Sequence, residues 1–141
     1  GAGVQLTGGS NYTIDGTTIK GQSTGGNGVS VNGSLSVQNG TVQGDTASGH
    51  GVNISGNLNL ANTTITGNAS TSGSGVLLGG NISGDVPDNS VITGSSEQGT
   101  GVTVTGNSSV SNVSVNGNTV DGSGITVNGN LTSSGSTTVT G

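Results

Sequence analysis

Valine, isoleucine and leucine fall at fixed places along this chain, and the places repeat. After Gly51 come Val52, Ile54, Gly56, Leu58, Leu60, Asn62, Ile65 and Gly67. After Gly28 the same offsets hold Val29, Val31, Gly33, Leu35, Val37, Asn39, Val42 and Gly44, and after Gly101 they hold Val102, Val104, Gly106, Ser108, Val110, Asn112, Val115 and Gly117. Within each unit the apolar residues alternate with polar ones, the period of a strand that buries one face. Val52 and Ile54 predict one strand and Leu58 and Leu60 a second. Ile65, with Thr63 two positions before it, predicts a third. Gly56, Asn62 and Gly67 punctuate these runs, and Gly and Asn tolerate the positive φ of a corner.

Each unit opens on Gly-X-Gly-Val/Ile, at Gly1, Gly26, Gly49, Gly73, Gly99 and Gly122, with spacings of 25, 23, 24, 26 and 23 residues. Self-similarity at such a period marks a solenoid whose single coil cannot bury its own apolar face. The prediction is an all-β parallel β-helix with three strands per coil and about six coils of 23–26 residues. Val, Thr, Ser and Gly are middling or poor helix formers, which argues against a helical repeat. The first coil carries extra residues around Gly8-Gly9-Ser10-Asn11 before Tyr12, Ile14 and Ile19. The sixth offers Ile125, Val127, Leu131 and Val139. The fourth departs most: after Val76, Leu78 and Ile82 it inserts Gly84-Asp85-Val86-Pro87-Asp88-Asn89 before Val91-Ile92 resumes. Pro87 cannot donate a ladder hydrogen bond, so this segment is expected to bulge out.

Composition changes the picture only in part. With 31 glycines among 141 residues, 1% aromatics and 5% charged residues, the chain would read as disordered but for its periodicity. The net charge of -5 comes from five Asp and Glu97 against Lys20 alone, which speaks against a nucleic-acid backbone or an anionic membrane surface as partner. Cysteine is absent, which removes disulfides and thiolate ligands. No stretch approaches the roughly 18 apolar residues of a membrane span. The pattern starts and stops without a distinctive cap, so residues 1–141 read as one β-helix segment excised from a longer repeat protein. Both ends would then be open sheet edges, prone to end-to-end or edge self-association.

Conventional chemistry is sparse. Asp45, Ser48 and His50 lie close in sequence, and a nucleophilic triad can be drawn through them. His50, however, fills the X of Gly-X-Gly, where other coils carry Ala2, Asn27, Ser74, Thr100 and Ser123, so it is expected to face solvent. The calcium-coil signature fails, because Gly25-Gly26-Asn27-Gly28 is followed by Val29, Ser30 and Val31. The Gly-X-Gly elements lead into strands, unlike a dinucleotide fingerprint. No catalytic residue, metal site or cofactor is expected. On the third strand the outward positions Thr18, Thr41, Thr64, Ser114 and Thr138 form a partial hydroxyl ladder. An ice-binding array would need that regularity beside it too, and the adjacent column of Lys20, Gln43, Thr66, Asn116 and Thr140 is mixed. Leu77 should point outward near the irregular loop, so Leu77, Asp85, Pro87 and Asp88 form a candidate contact site. Of ten Asn-X-Ser/Thr sequons, Asn39, Asn62 and Asn112 share a corner column and read as a stacked amide ladder. Asn11, Asn32, Asn53, Asn68, Asn81, Asn107 and Asn130 are candidate glycosylation sites.

The tandem units GHGVNISGNLNLANTTITGN (49–68) and GSGITVNGNLT (122–132) resemble the repeat regions of filamentous-haemagglutinin-like exoproteins. These are Gram-negative adhesins exported by two-partner secretion. The resemblance implies a right-handed helix, a secreted or cell-surface location, an outer-membrane transporter as export partner and a host glycan or protein as receptor. It also gives the sequons a second reading, since some relatives carry sugars there. Trimeric phage tail-spike shafts use related β-helices and are the other source of such a segment. The expected function is a structural, adhesive shaft without enzymatic activity. The alternatives are a carbohydrate-binding or polysaccharide-cleaving β-helix and an ice-binding solenoid.

Overall fold

The computed structural model describes residues 1–85 and 90–141. Their strands, β1 to β18 in chain order, fall into three parallel sheets of six. The first sheet stacks β1 (Val4–Leu6), β4 (Val29–Val31), β7 (Val52–Ile54), β10 (Ser74–Leu78), β13 (Thr100–Thr105) and β16 (Ser123–Asn128). The second stacks β2 (Asn11–Asp15), β5 (Ser34–Gln38), β8 (Leu58–Ala61), β11 (Ile82–Gly84), β14 (Ser108–Ser111) and β17 (Leu131–Ser134). The third stacks β3 (Thr18–Ser23), β6 (Thr41–Thr46), β9 (Thr64–Ala69), β12 (Val91–Ser96), β15 (Ser114–Thr119) and β18 (Thr138–Thr140). Each strand pairs with the strand three elements away, so successive coils climb the axis by one strand spacing of about 4.8 Å.

The inward register follows the apolar pattern. Val52, Ile54 and Ile65 are fully buried, Leu58 is 1% exposed and Leu60 is 2% exposed. Their columns through the middle coils hold Val29, Val31, Leu35, Val37, Val42, Val76, Leu78, Ile82 and Ile92, all equally buried. One core therefore runs along the axis, and each coil's aliphatics are shielded by the coils above and below.

The corners divide into two kinds. Asn39, Asn62 and Asn112 turn the chain from the second sheet into the third with φ of 51°, 48° and 55°, a left-handed conformation that Asn reaches more easily than most residues. Asn62 Nδ2 donates to Asn39 Oδ1 at 3.1 Å, which forms the expected amide ladder between these coils. Just past this corner Thr63 is buried, and its Oγ1 lies within hydrogen-bonding distance of the Val37 and Ala61 carbonyls at 3.0 and 2.9 Å.

The third-to-first corner differs from the sequence expectation. Gly67 is not a corner: it lies inside β9 and faces inward. A Cβ there would land on the Gly75 carbonyl oxygen, and Gly44, Gly94 and Gly117 meet Gly51, Gly101 and Gly124 in the same way. The third and first sheets thus converge to a thin apex where backbone packs on backbone. Among the motif glycines only Gly73 takes a positive φ, of 94°. The second glycine of Gly-X-Gly is required by close approach rather than by turn geometry.

Between coils four and five the register slips. Ile82 pairs with Leu58 on one side but with Val110 on the other, whereas equal offsets from the motif would pair it with Ser108. A two-residue slip keeps every side chain on its own face and sets aliphatic against aliphatic. It leaves Ser108, which is 5% exposed, with an Oγ that has no hydrogen-bond partner among the described residues.

Candidate functional site

At the apex the chain leaves the third sheet, passes through Gly-X-Gly and enters the first. A column of inward residues, Ser23, Thr46, Ala69, Ser96 and Thr119, runs beneath this turn. Thr46 Oγ1 accepts from the Gly49 N–H at 3.2 Å and donates to the Gly26 carbonyl at 2.7 Å. Ser23 repeats both bonds, accepting from Gly26 N–H at 3.0 Å and donating to Gly1 at 2.6 Å. Ser96 Oγ accepts from Gly99 N–H at 3.0 Å, and Thr119 Oγ1 donates to the Gly99 carbonyl at 3.4 Å. Ser23, Thr46 and Ser96 each close their own turn, and Ser23, Thr46 and Thr119 tie the turn to the one a coil earlier. The signal was present in the sequence as Ser/Thr three positions ahead of Gly-X-Gly. At the entry to the fourth coil Ala69 takes the place, and the longer turn 70–72 ends on Gly73.

Apart from exposed Ser123 in the sixth coil, the X position is not the solvent-facing tip expected from its variability. Ser74 is 6% exposed, and Asn27, His50 and Thr100 are half-buried. Asn27 Oδ1 accepts the His50 N–H at 3.1 Å, and His50 Nδ1 accepts the Ser74 N–H at 3.1 Å. Ser74 Oγ lies 2.7 Å from Thr103 Oγ1. The position tolerates different residues because Asn and His can both hold an amide of the next coil.

This placement dissolves the imagined triad. The Ser74 N–H holds the lone pair of His50 Nδ1, so the neutral ring carries its proton on Nε2, and burial lowers its pKa from the ordinary value of 6.5. Asp45 accepts from Gln43 Nε2 at 3.1 Å and Asn68 Nδ2 at 2.7 Å. Its carboxylate therefore serves an amide cluster on the outer face of the third sheet. Among the described residues no group of three or more His, Cys, Asp or Glu could hold a metal ion, and no helix is long and apolar enough to cross a membrane.

Of the candidate contact residues, Leu77 and Asp85 lie against different sheets. Leu77 is half-buried on the outer face of the first sheet, between Asn53 and Thr103. The chain then turns before β11, so exposed Asp85 follows the second sheet, where its N–H donates to the Leu60 carbonyl at 3.1 Å. Pro87 and Asp88 lie outside the described residues. Asp85 borders a depression of about 170 Å³ with Ser36, Gln38, Asn59 and Ser83, and Ser83 Oγ donates to Asn59 Oδ1.

The outward columns of the third sheet run Thr18, Thr41, Thr64, Val91, Ser114, Thr138 and Lys20, Gln43, Thr66, Thr93, Asn116, Thr140. Val91 supplies the member missing from the sequence reading, and it is apolar. Of the sequons, Asn11, Asn32, Asn81, Asn107 and Asn130 are exposed, while Asn53 and Asn68 are half-buried. Asn81 and Asn107 each use Oδ1 to accept a backbone N–H of the next coil, from Ser109 and Asn130, both at 3.0 Å.

Three parallel sheets around one axial core, with side-chain hydrogen bonds joining coils at the Asn corner and at the apex, define a parallel β-helix. The family model of the right-handed beta helix region matches residues 1–141, and the chain belongs to that family. No curated protein and no solved structure matches it.

Proposed function

We propose that this chain is a rigid β-helix shaft of a secreted bacterial surface adhesin, a spacer that also presents contact surface to a host or neighbouring cell. The observation that carries the reading is how the polar side chains are used. Hydroxyls and amides at the apex, the X position and the Asn corner bond to the backbone or to their own column mates in neighbouring coils. Such groups lock the stack and leave faces on which charged residues are sparse among uncharged polar ones, as a spacer needs. The resemblance to filamentous-haemagglutinin-like repeats supports export to the surface and adhesion.

One observation favours a second reading. The depression beside Asp85 combines an acid, two amides and two hydroxyls, a chemistry that can hold a sugar. The purified chain should be assayed for turnover of acidic and neutral polysaccharides and, as a fluorescent conjugate, for retention on host epithelial cells. The shaft reading predicts saturable cell retention without turnover. Turnover abolished by Asp85→Asn would replace it with the carbohydrate-active reading, and absence of both turnover and retention would remove the adhesive part.

A further inference from the structure

The turn into the fourth coil is fastened differently from its neighbours. Ser23, Thr46 and Thr119 each donate to a glycine carbonyl one coil earlier, but Ala69 has no hydroxyl to do so. Among the described residues, one side-chain hydrogen bond joins residues 70–74 to the preceding coil: the Ser74 N–H donates to His50 Nδ1 at 3.1 Å. The acceptor of that bond can take a proton. In the equivalent place one coil earlier the acceptor is Asn27 Oδ1, which does not titrate at ordinary pH.

We propose that His50 is an acid-released latch on the joint between the third and fourth coils. The neutral ring, with its proton on Nε2, offers the Nδ1 lone pair to Ser74 and closes the end of the turn. Protonation at Nδ1 sets one N–H donor against another, so the bond breaks and the Ser74 end of the turn opens. The opening is local. β7 still pairs with β10 through Val52, Asn53 and Ile54, and β9 pairs with β12 from Thr64 to Ala69.

The surroundings offer the imidazolium little support. No strand of the first sheet carries a charged residue, and the X column holds Ala2, Asn27, Ser74, Thr100 and Ser123 beside His50. Of the third-sheet strands packed against β7, β9 has no charged residue and β6 has Asp45. That carboxylate accepts from Gln43 and Asn68. Glu97 lies two turns further along the stack. Burial lowers the His50 pKa, so the latch stays closed until the solution is more acidic than an exposed histidine would require. The device belongs to the fold and holds whether or not the shaft is adhesive.

The test is the protection factor of the Ser74 amide, corrected for intrinsic exchange, between about pH 8 and about pH 5. Ring ¹⁵N shifts give the His50 midpoint in the same samples. Gly49 N–H, held by Thr46 Oγ1, is the reference, because its acceptor does not titrate. Ser74 protection should fall roughly tenfold through the His50 midpoint while Gly49 keeps its own. In His50→Asn, checked for parental circular dichroism, Ser74 protection should hold across the range. Ser74 protection that ignores the His50 midpoint, or that falls together with Gly49, would overturn the proposal in the parent protein alone. So would an equal fall in His50→Asn, which would assign the effect to carboxylates.

Discussion

Gly67 and Gly75 show why a residue with no side chain can be the least replaceable in this chain. A methyl group on Gly67 would occupy the space of the Gly75 carbonyl oxygen, and rigid backbone lies on both sides. Gly67→Ala should therefore destabilise the fold by roughly 3 kcal/mol, at the upper end of the usual cost of overpacking. A urea unfolding midpoint equal to the parent's would show that the apex is wider than described. His50 makes a different claim. Its pKa is lowered in the folded chain by burial, so the unfolded chain binds the extra proton first. Stability should be fully present above pH 6.5 and decline as the pH falls below it. His50→Asn keeps an acceptor of the kind Asn27 provides, and should flatten that part of the stability–pH profile. An unchanged slope would assign the pH dependence to carboxylates. The inward aliphatics were legible because burial of one strand face imposes a period of two. The apex hydroxyls were missed although they recur three positions ahead of Gly-X-Gly, because taken singly a buried Ser or Thr that bonds to backbone looks in sequence like any surface Ser or Thr.

At the scale of elements, counting offsets from the motif located the strands but gave no pairing of β11 with β14. Offsets along the chain cannot register a slip, which is decided between coils by which aliphatics face each other. Ile82 against Val110 is the better-packed choice, and its consequence is the buried, unpartnered Ser108 Oγ. Removing that oxygen should help: Ser108→Ala is expected to stabilise the chain by about 1 kcal/mol, read as a higher urea midpoint. A loss of similar size would mean that the hydroxyl has a partner and that the slip is not there. Leu77 and Asp85, read together as part of one contact site, lie against different sheets for a related reason. Closeness along the chain does not survive a corner, and the turn between β10 and β11 sends the two residues to different faces.

For the whole molecule, length is the property that the proposed role as a shaft asks for, and continuity is what gives it. Six coils at about 4.8 Å each stack around a core with no second layer to brace it, so a break at any coil would divide the shaft. The fourth coil is where a break would fall, since it carries the slip and the inserted segment and is entered through a turn where Ala69 stands in place of an apex hydroxyl. Yet β12 pairs along its full length with β9 and β15, and β10 pairs with both β7 and β13. Residue-resolved amide hydrogen–deuterium exchange tests this most directly. One continuous shaft predicts maximal protection across coils two to five, fading only toward the two ends, with the Gly26, Gly49 and Gly99 amides protected although they lie at the apex. Fast exchange through β10, β11 and β12, dividing the chain into two protected blocks, would contradict it.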